Sequence, residues 1–336
     1  MNRDLIYNFL SLNAPNIRHF SLARHALIEA LRLAHVGKGD VVLLPEFLCR
    51  ELLASIAATG ASIEWYAIGP DLSPVAPSTA WPNAKAVLAV NYFGFPQNLK
   101  PFEDYAARCG ALIIEDNAHG FLSYDEFSRL LGSRGKLGIF SLRKTIRMPD
   151  GASLLINDPA YLENLRPQLP IVGRGFNRSE AIKSKLNSIP LIGPSLAANA
   201  INLVRFIRLF LYGAIAKPAD ELSERELPYV ATPWFDLIKV LSSLDVDAEI
   251  NRRRNAYSKM AAYAARNNIE PVFPELPRSC VPYGFPFRES AGNLDKMTKY
   301  AASQGFGIMS WPDLPGEVEP RAPSHYQNVR LVNFLW

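Results

Sequence analysis

Cysteine is scarce in this chain: three occur in 336 residues, Cys49, Cys109 and Cys280. An odd number, widely spaced, offers neither a disulfide framework nor metal-ligand spacing. A reducing, cytoplasmic setting is therefore expected, with no metal site. The five histidines form no HxxxH or HExxH pattern. Basic residues are not gathered into a compact run, and the net charge of +4 is spread along the chain. That balance suits an anionic small molecule and argues against nucleic acid. A membrane-spanning helix is also lacking. The longest uncharged stretch, Leu186 to Val204, is interrupted by Asn187, Pro190, Pro194, Asn199 and Asn202, whereas a span needs about 20 predominantly apolar residues. The opening MNRDLIYNFLSLNAPN is too polar for a signal peptide. No internal repeat is visible.

What is present is an alternation of strand and helix signals. Ser21 is placed to cap a helix through about His35, with Leu22, Ala26, Leu27, Ala30 and Leu31 on one face. Val41 to Leu44 reads as a buried strand and Arg50 to Thr59 as a helix closed by Gly60. Ile63 to Ile68 and Ala86 to Val90 read as strands. Asn98 begins a helix that Gly110 ends. Ala111 to Ile114 is a strand leading into Glu115 and Asp116, and Leu137 to Leu142 and Ala152 to Ile156 follow. This order predicts an α/β fold with a mostly parallel sheet and a ligand site at the strand carboxyl ends.

The second half reads differently. Residues Pro159 to Leu227 carry no strand signature, and Leu196 to Ile215 reads as an apolar helix. Its polar residues Asn199, Asn202, Arg205 and Arg208 wind round it, so the helix is expected to be buried against a partner or its own chain. A peripheral interfacial membrane helix is the alternative. A helix from about Trp234 to Arg266, continuous or with a break, carries Arg252-Arg253-Arg254, read as a solvated face. The tail from Glu270 mixes short strands with a helix around Leu294 to Gln304. The expected division is a large domain over 1–235, with a helical insertion at about 159–227, and a small α+β domain over 236–336.

Two places carry chemistry. In Leu112-Ile113-Ile114-Glu115-Asp116-Asn117-Ala118-His119, an apolar strand meets an acidic pair and then a titratable ring. Alone, such a strand end binds a metal, caps a helix or meets solvent. In Phe140-Ser141-Leu142-Arg143-Lys144-Thr145, a lysine lies between two sheet segments, with a small-residue turn at Gly151 after it. The ordered set of early helix, strand-end aspartate and lysine beside a hydroxyl raises both above the ordinary surface reading.

At these residues the chain resembles the DegT/DnrJ/StrS family of sugar aminotransferases. The matching stretches are SLARHALIEALRLAHVGKGDVVLLPEFLC, AVLAVNYFGF, GALIIEDNAHGF, FSLRKTIRMPDGASLLIND, KVLSSLDVDAEINRRRNAY and GFGIMSWPDLP. The resemblance implies fold-type-I architecture, a homodimer and pyridoxal 5'-phosphate (PLP) as cofactor. Asp116 then pairs with the pyridine nitrogen and keeps it protonated. His119 stands beside the cofactor, and Lys144 forms the Schiff base and later moves the proton. Backbone N–H groups of Ala23, Arg24 and His25 hold the phosphate at a helix start, with Ser141 touching it. Arg143 either lowers the lysine's pKa or points to solvent.

Three departures from the family pattern stand out. Ser141 precedes Lys144 by three positions, where five is usual. The Asn-Tyr-Arg-Met segment that reaches the neighbouring subunit reads Pro228-Tyr229-Val230-Ala231 here, with Asn177 as a substitute for its amide. The final strand Leu331 to Trp336 ends early, so a truncated C-terminus is expected. The resemblance implies amino transfer, from glutamate, to a nucleotide-linked keto sugar in polysaccharide or cell-surface glycan biosynthesis. The departures set against it a catalytically impaired partner or scaffold in such a pathway.

Overall fold

A computed structural model of the chain describes Ile6, Phe9 and residues 14–75, 77–169 and 221–335. The expected helix Leu196 to Ile215, residue Asn177 and most of the 159–227 insertion lie outside these residues.

The first half forms a seven-stranded sheet from β1 (Ile17–Phe20), β2 (Val41–Pro45), β3 (Ser62–Tyr66), β4 (Ala86–Val90), β5 (Leu112–Asp116), β6 (Leu137–Phe140) and β7 (Ala152–Ile156), in the order β1-β7-β6-β5-β4-β2-β3. Strands β2 to β6 run parallel, whereas β7 runs antiparallel to both β6 and β1. Short continuous apolar runs such as Ala86 to Val90 become central strands because both faces are covered, and all five of those residues are buried. The mostly parallel α/β sheet matches the expectation. Strand β1 was not expected. It sits at the sheet edge, where Ile17 and Phe20 are buried but Arg18 turns outward to the main-chain carbonyls of Ile17 and Arg166.

Helix α1 (Ala23–Leu33) buries the apolar face read from the sequence: Ala26, Leu27, Ala30 and Leu31 are at most 1% exposed. Its start differs. Leu22 occupies the cap position, and the Ser21 hydroxyl instead donates to the Val230 carbonyl at 2.6 Å. The α2 helix is the short Leu53–Ala57, entered through a 3-10 turn at Arg50–Leu52. Helix α3 (Lys100–Cys109) ends at Gly110, whose φ of 75° is the left-handed closure that glycine permits. A single helical turn, α4 (Leu142–Thr145), follows β6.

The expected long helix after Trp234 is two helices, α5 (Leu237–Ser242) and α6 (Val246–Arg266). Asp245 makes the break by accepting the Ala248 N–H at 3.0 Å, a new N-cap. Beyond it, β8 (Gly284–Arg288), α7 (Asn293–Ser303), β9 (Gly307–Ser310), α8 (Ser324–Gln327) and β10 (Val329–Asn333) build an antiparallel sheet in the order β8-β10-β9. One apolar cluster includes Leu44, Leu88 and Ile114 of the large sheet with Phe285, Leu331 and Val332 of the small one.

The arginine triplet on α6 is a solvated face only at Arg252; Arg254 is half-buried and Arg253 buried. Arg253 is 1% exposed, Arg252 donates to the Phe334 carbonyl, and Arg254 donates to the carbonyls of Pro277 and Cys280. The tail folds back over the helix, and its irregular main chain needs donors that regular secondary structure would otherwise supply.

Candidate active site

The parallel strands deliver the functional side chains to one place. Asn91 follows β4, Asp116 ends β5, His119 lies three residues on, and Ser141, Arg143 and Lys144 follow β6. With Ala23 and Arg24 at the start of α1, and Trp311 from the second half, they line one recess.

Strand alternation separates the acidic pair. Glu115 points away from the recess into a polar network. It meets Arg134 at 2.6 Å, with both side chains at most 4% exposed, and accepts from Asn91 Nδ2 at 2.8 Å. Arg134 also donates to Asn91 Oδ1 and to the Gln97 carbonyl. This network fixes the end of β5 from beneath. Asp116 faces the recess instead, 5% exposed, and its Oδ1 accepts the Ala118 N–H at 2.9 Å. Burial pushes its carboxyl above the usual range, opposed by that N–H and by the Lys144 charge. A buried carboxylate with one main-chain donor is suited to a cationic N–H partner.

Lys144 Nζ lies 3.1 Å from His119 Nε2. His119 is held by Phe93, Tyr283 and Trp311. The Phe93 N–H donates to Nδ1 at 3.2 Å, and the Tyr283 ring stacks on the imidazole at 4.6 Å with an interplanar angle of 1°. Trp311 meets it edge-on at 5.3 Å. Burial, and then the Lys144 charge, hold the imidazole well below its ordinary value. A neutral ring that accepts at Nδ1 carries its proton on Nε2. The single N–H of His119 then sits on Nε2, the nitrogen that faces Nζ. Phe93 reaches His119 from a left-handed conformation, φ 55°. Gly94 follows at φ 89°, where a Cβ would stand 2.8 Å from the Val281 carbonyl oxygen.

The α1 start presents main-chain donors. The N–H groups of Ala23 and Arg24 make no hydrogen bond among the described residues, as helix geometry dictates for a first turn. His25 differs: its N–H donates to the Leu22 carbonyl at 3.0 Å, and its side chain does not line the recess. The Arg24 guanidinium pairs with Glu51 at 3.2 Å. Ser141 is 3% exposed and lines the recess, even though it stands only three residues before Lys144. Arg143 also faces the recess rather than bulk solvent, and its Nε is buried without a partner. Gly151 ties the lysine turn to α1 by donating to the Ser21 carbonyl at 2.7 Å and accepting the Arg143 N–H at 3.1 Å. At φ 150°, a Cβ on it would meet Met148 Sδ at 2.6 Å.

Ala23, Arg24, Asp116, His119, Ser141 and Lys144 are thus brought together, and His25 stands apart. The wall of Phe93, Tyr283 and Trp311 escaped sequence reasoning, although Trp311 lies within the matching GFGIMSWPDLP stretch. Among the described residues, no group of histidine, cysteine, aspartate or glutamate side chains is arranged to hold a metal. None of the described helices is long and apolar enough to cross a membrane.

The DegT/DnrJ/EryC1/StrS aminotransferase family model matches residues 19–189, half of the sequence and every recess residue contributed by the parallel sheet. The chain belongs to this family. DegT-family enzymes are PLP-dependent aminotransferases. Solved structures agree on the fold. The aminotransferase TlmJ from Streptoalloteichus hindustanus matches with a TM-score of 0.64 at 19% identity, over 98% of this chain and 83% of its own. Helicobacter pylori PseC, an aminotransferase involved in the biosynthesis of pseudoaminic acid, matches at 0.62 and 14%, over 94% and 81%. A DegT DnrJ EryC1 StrS aminotransferase from Brucella abortus matches at 0.58 and 16%, over 94% and 80%. The architecture is that of fold-type-I PLP enzymes.

Proposed function

We propose that this DegT-family protein is a working PLP-dependent aminotransferase that transfers an amino group from glutamate to a nucleotide-linked keto sugar. Its setting is polysaccharide or cell-surface glycan biosynthesis in the cytoplasm. The observation that carries the reading is the convergence of Asp116 and Lys144 on one recess, with the unspent N–H groups of Ala23 and Arg24 beside them.

The residues present fit the cofactor. The buried Asp116 carboxylate lacks a cationic hydrogen-bond partner and would gain one from a protonated pyridine nitrogen. Lys144 is the covalent anchor. The α1 start and the Ser141 hydroxyl hold the phosphate, an anion suited to a helix N-terminus. Arg24 adds positive charge there, whereas the His25 N–H is already taken by the Leu22 carbonyl. When bound, the cofactor supplies an electron sink for carbon acids. The chain's own groups do the rest. Asp116 keeps the ring nitrogen protonated, Lys144 Nζ carries the transferred proton, and His119 offers its Nε2–H to Nζ while its stacked rings exclude water.

In this reading residues 1–235 form the cofactor domain and 236–336 the small domain. The active unit is a homodimer. Support for the dimer comes from Pro228-Tyr229-Val230-Ala231, which is pinned to Ser21 beside the phosphate end while Tyr229 is fully exposed. A non-catalytic scaffold would not require a lysine 3.1 Å from a buried imidazole in the recess that Asp116 faces.

The test is direct. Purified protein incubated with PLP should absorb in the visible. Glutamate should bleach that band, and a nucleotide-linked keto sugar should restore it. Protein that stays colourless and takes up no PLP would contradict the proposal.

A further inference from the structure

We propose that Arg253 is a positioning residue for the Lys144–His119 pair; its kinetic consequence rests on the aminotransferase reading above. Arg253 is the largest fully buried side chain of the described residues and does not line the recess. Its Nε donates to Glu249 Oε1 at 2.6 Å, one turn back on α6. Its two terminal nitrogens diverge. Nη2 donates to the Thr145 carbonyl, and Nη1 donates to the carbonyls of Pro282 and Tyr283, both at 3.2 Å.

These acceptors lie on the two arms of the site. Thr145 is the residue after Lys144 and the last of the one-turn helix α4, where a carbonyl has no helical partner. Tyr283 is the residue whose ring stacks on His119. Tyr283 also donates its N–H to the Phe93 carbonyl, and Phe93 donates its own N–H to His119 Nδ1. The contacts therefore close a circuit: Arg253 to Thr145, along the chain to Lys144, across 3.1 Å to His119, through the stack to Tyr283 and back to Arg253. A planar guanidinium with donors in fixed directions sets the separation of the two arms. A lysine ammonium offers a single point and cannot span both. The cation thus acts on the site through main chain alone, from a position no substrate reaches.

Arg253→Lys and Arg253→Met test this, with Arg254→Lys as control. Arg254 is the neighbouring donor to main-chain carbonyls, those of Pro277 and Cys280. Both Arg253 variants are expected to fold, because Glu249 retains its two hydrogen bonds from Arg252. The first readout is the ring 15N–1H signal of His119 Nε2 in cofactor-free protein, which should shift or broaden away in both variants. The second is the glutamate half-reaction of the PLP-loaded protein. Its maximal rate should fall roughly ten- to a hundredfold, as for a displaced reacting group, with glutamate KM unchanged. Arg254→Lys should move neither. An unmoved His119 signal with a wild-type rate overturns the proposal. So does an equal loss in Arg254→Lys, or failure of both Arg253 variants to fold, since either makes the role purely structural. If the wild type takes up no PLP, the aminotransferase reading falls and the His119 signal still decides the role of Arg253.

Discussion

Glu115 and Asp116 leave adjacent positions of one strand in opposite directions, Glu115 into an ion pair with Arg134 at 2.6 Å and Asp116 into the recess that holds Lys144. The same two carboxylates that look equivalent in the sequence therefore have separate tasks, and they respond to substitution in separate ways.

Arg134→Met strands a fully buried carboxylate. It should cost about 3–5 kcal/mol, the usual penalty for breaking a buried pair from one side, read from urea unfolding. Replacing Glu115 by leucine as well should recover much of the loss. Destabilisation below 1 kcal/mol, on the order expected for a surface pair, would contradict the structural role.

Asp116→Asn should abolish most amino transfer, by roughly a hundredfold or more in single turnover with glutamate, the scale of losing one electrostatic partner in a site. In cofactor-free protein it should be stabilising. Burial raises the Asp116 carboxyl above its ordinary 3.8, against the Ala118 N–H and the Lys144 charge. The unfolded chain then ionises first, so stability is lost as pH rises from about 3.8 through the folded value. The variant should melt above the wild type at neutral pH and together with it below that window. Equal melting at neutral pH would show that Asp116 is not buried as described.

His119 carries the opposite sign check. Burial, with Lys144, keeps its ring well below 6.5, so below that pH the unfolded chain binds a proton that the folded chain does not. Wild-type stability should fall with acidification from about pH 6.5, by up to about 1.4 kcal/mol per pH unit for one proton. His119→Gln should flatten that slope. A slope unchanged by the substitution would mean that His119 titrates normally.

For the homodimer, sedimentation at micromolar concentration should show a dimer whose distribution ignores anionic vesicles, and Tyr229→Ala should weaken it. A wild-type monomer would contradict the proposed homodimer.

Much of this was legible from the sequence because parallel strands announce themselves. The runs VVLLP, AVLAV and LII are apolar throughout, and each is followed by a polar residue. The strand-end rule points to the carboxyl ends of these strands, and Asp116 lines a recess there together with Lys144. Strand β1 escaped because four residues with Arg18 and His19 in the middle carry no period, and only pairing with β7 makes them a strand. Ser21 looked like a cap by type, but the Val230 carbonyl, 209 residues away in sequence, claims its hydroxyl. Arg253 was misread for a related reason. Its acceptors are main-chain carbonyls of Thr145, Pro282 and Tyr283, which no local pattern reveals. The wall around His119 is likewise assembled from Phe93, Tyr283 and Trp311, distant in sequence and ordinary as residue types.

Borohydride reduction of the PLP-loaded protein followed by peptide mapping shows which lysine holds the cofactor. A single pyridoxyl group is expected on Lys144, and none in Lys144→Ala. A label on another lysine, or no label on folded yellow protein, would contradict that assignment.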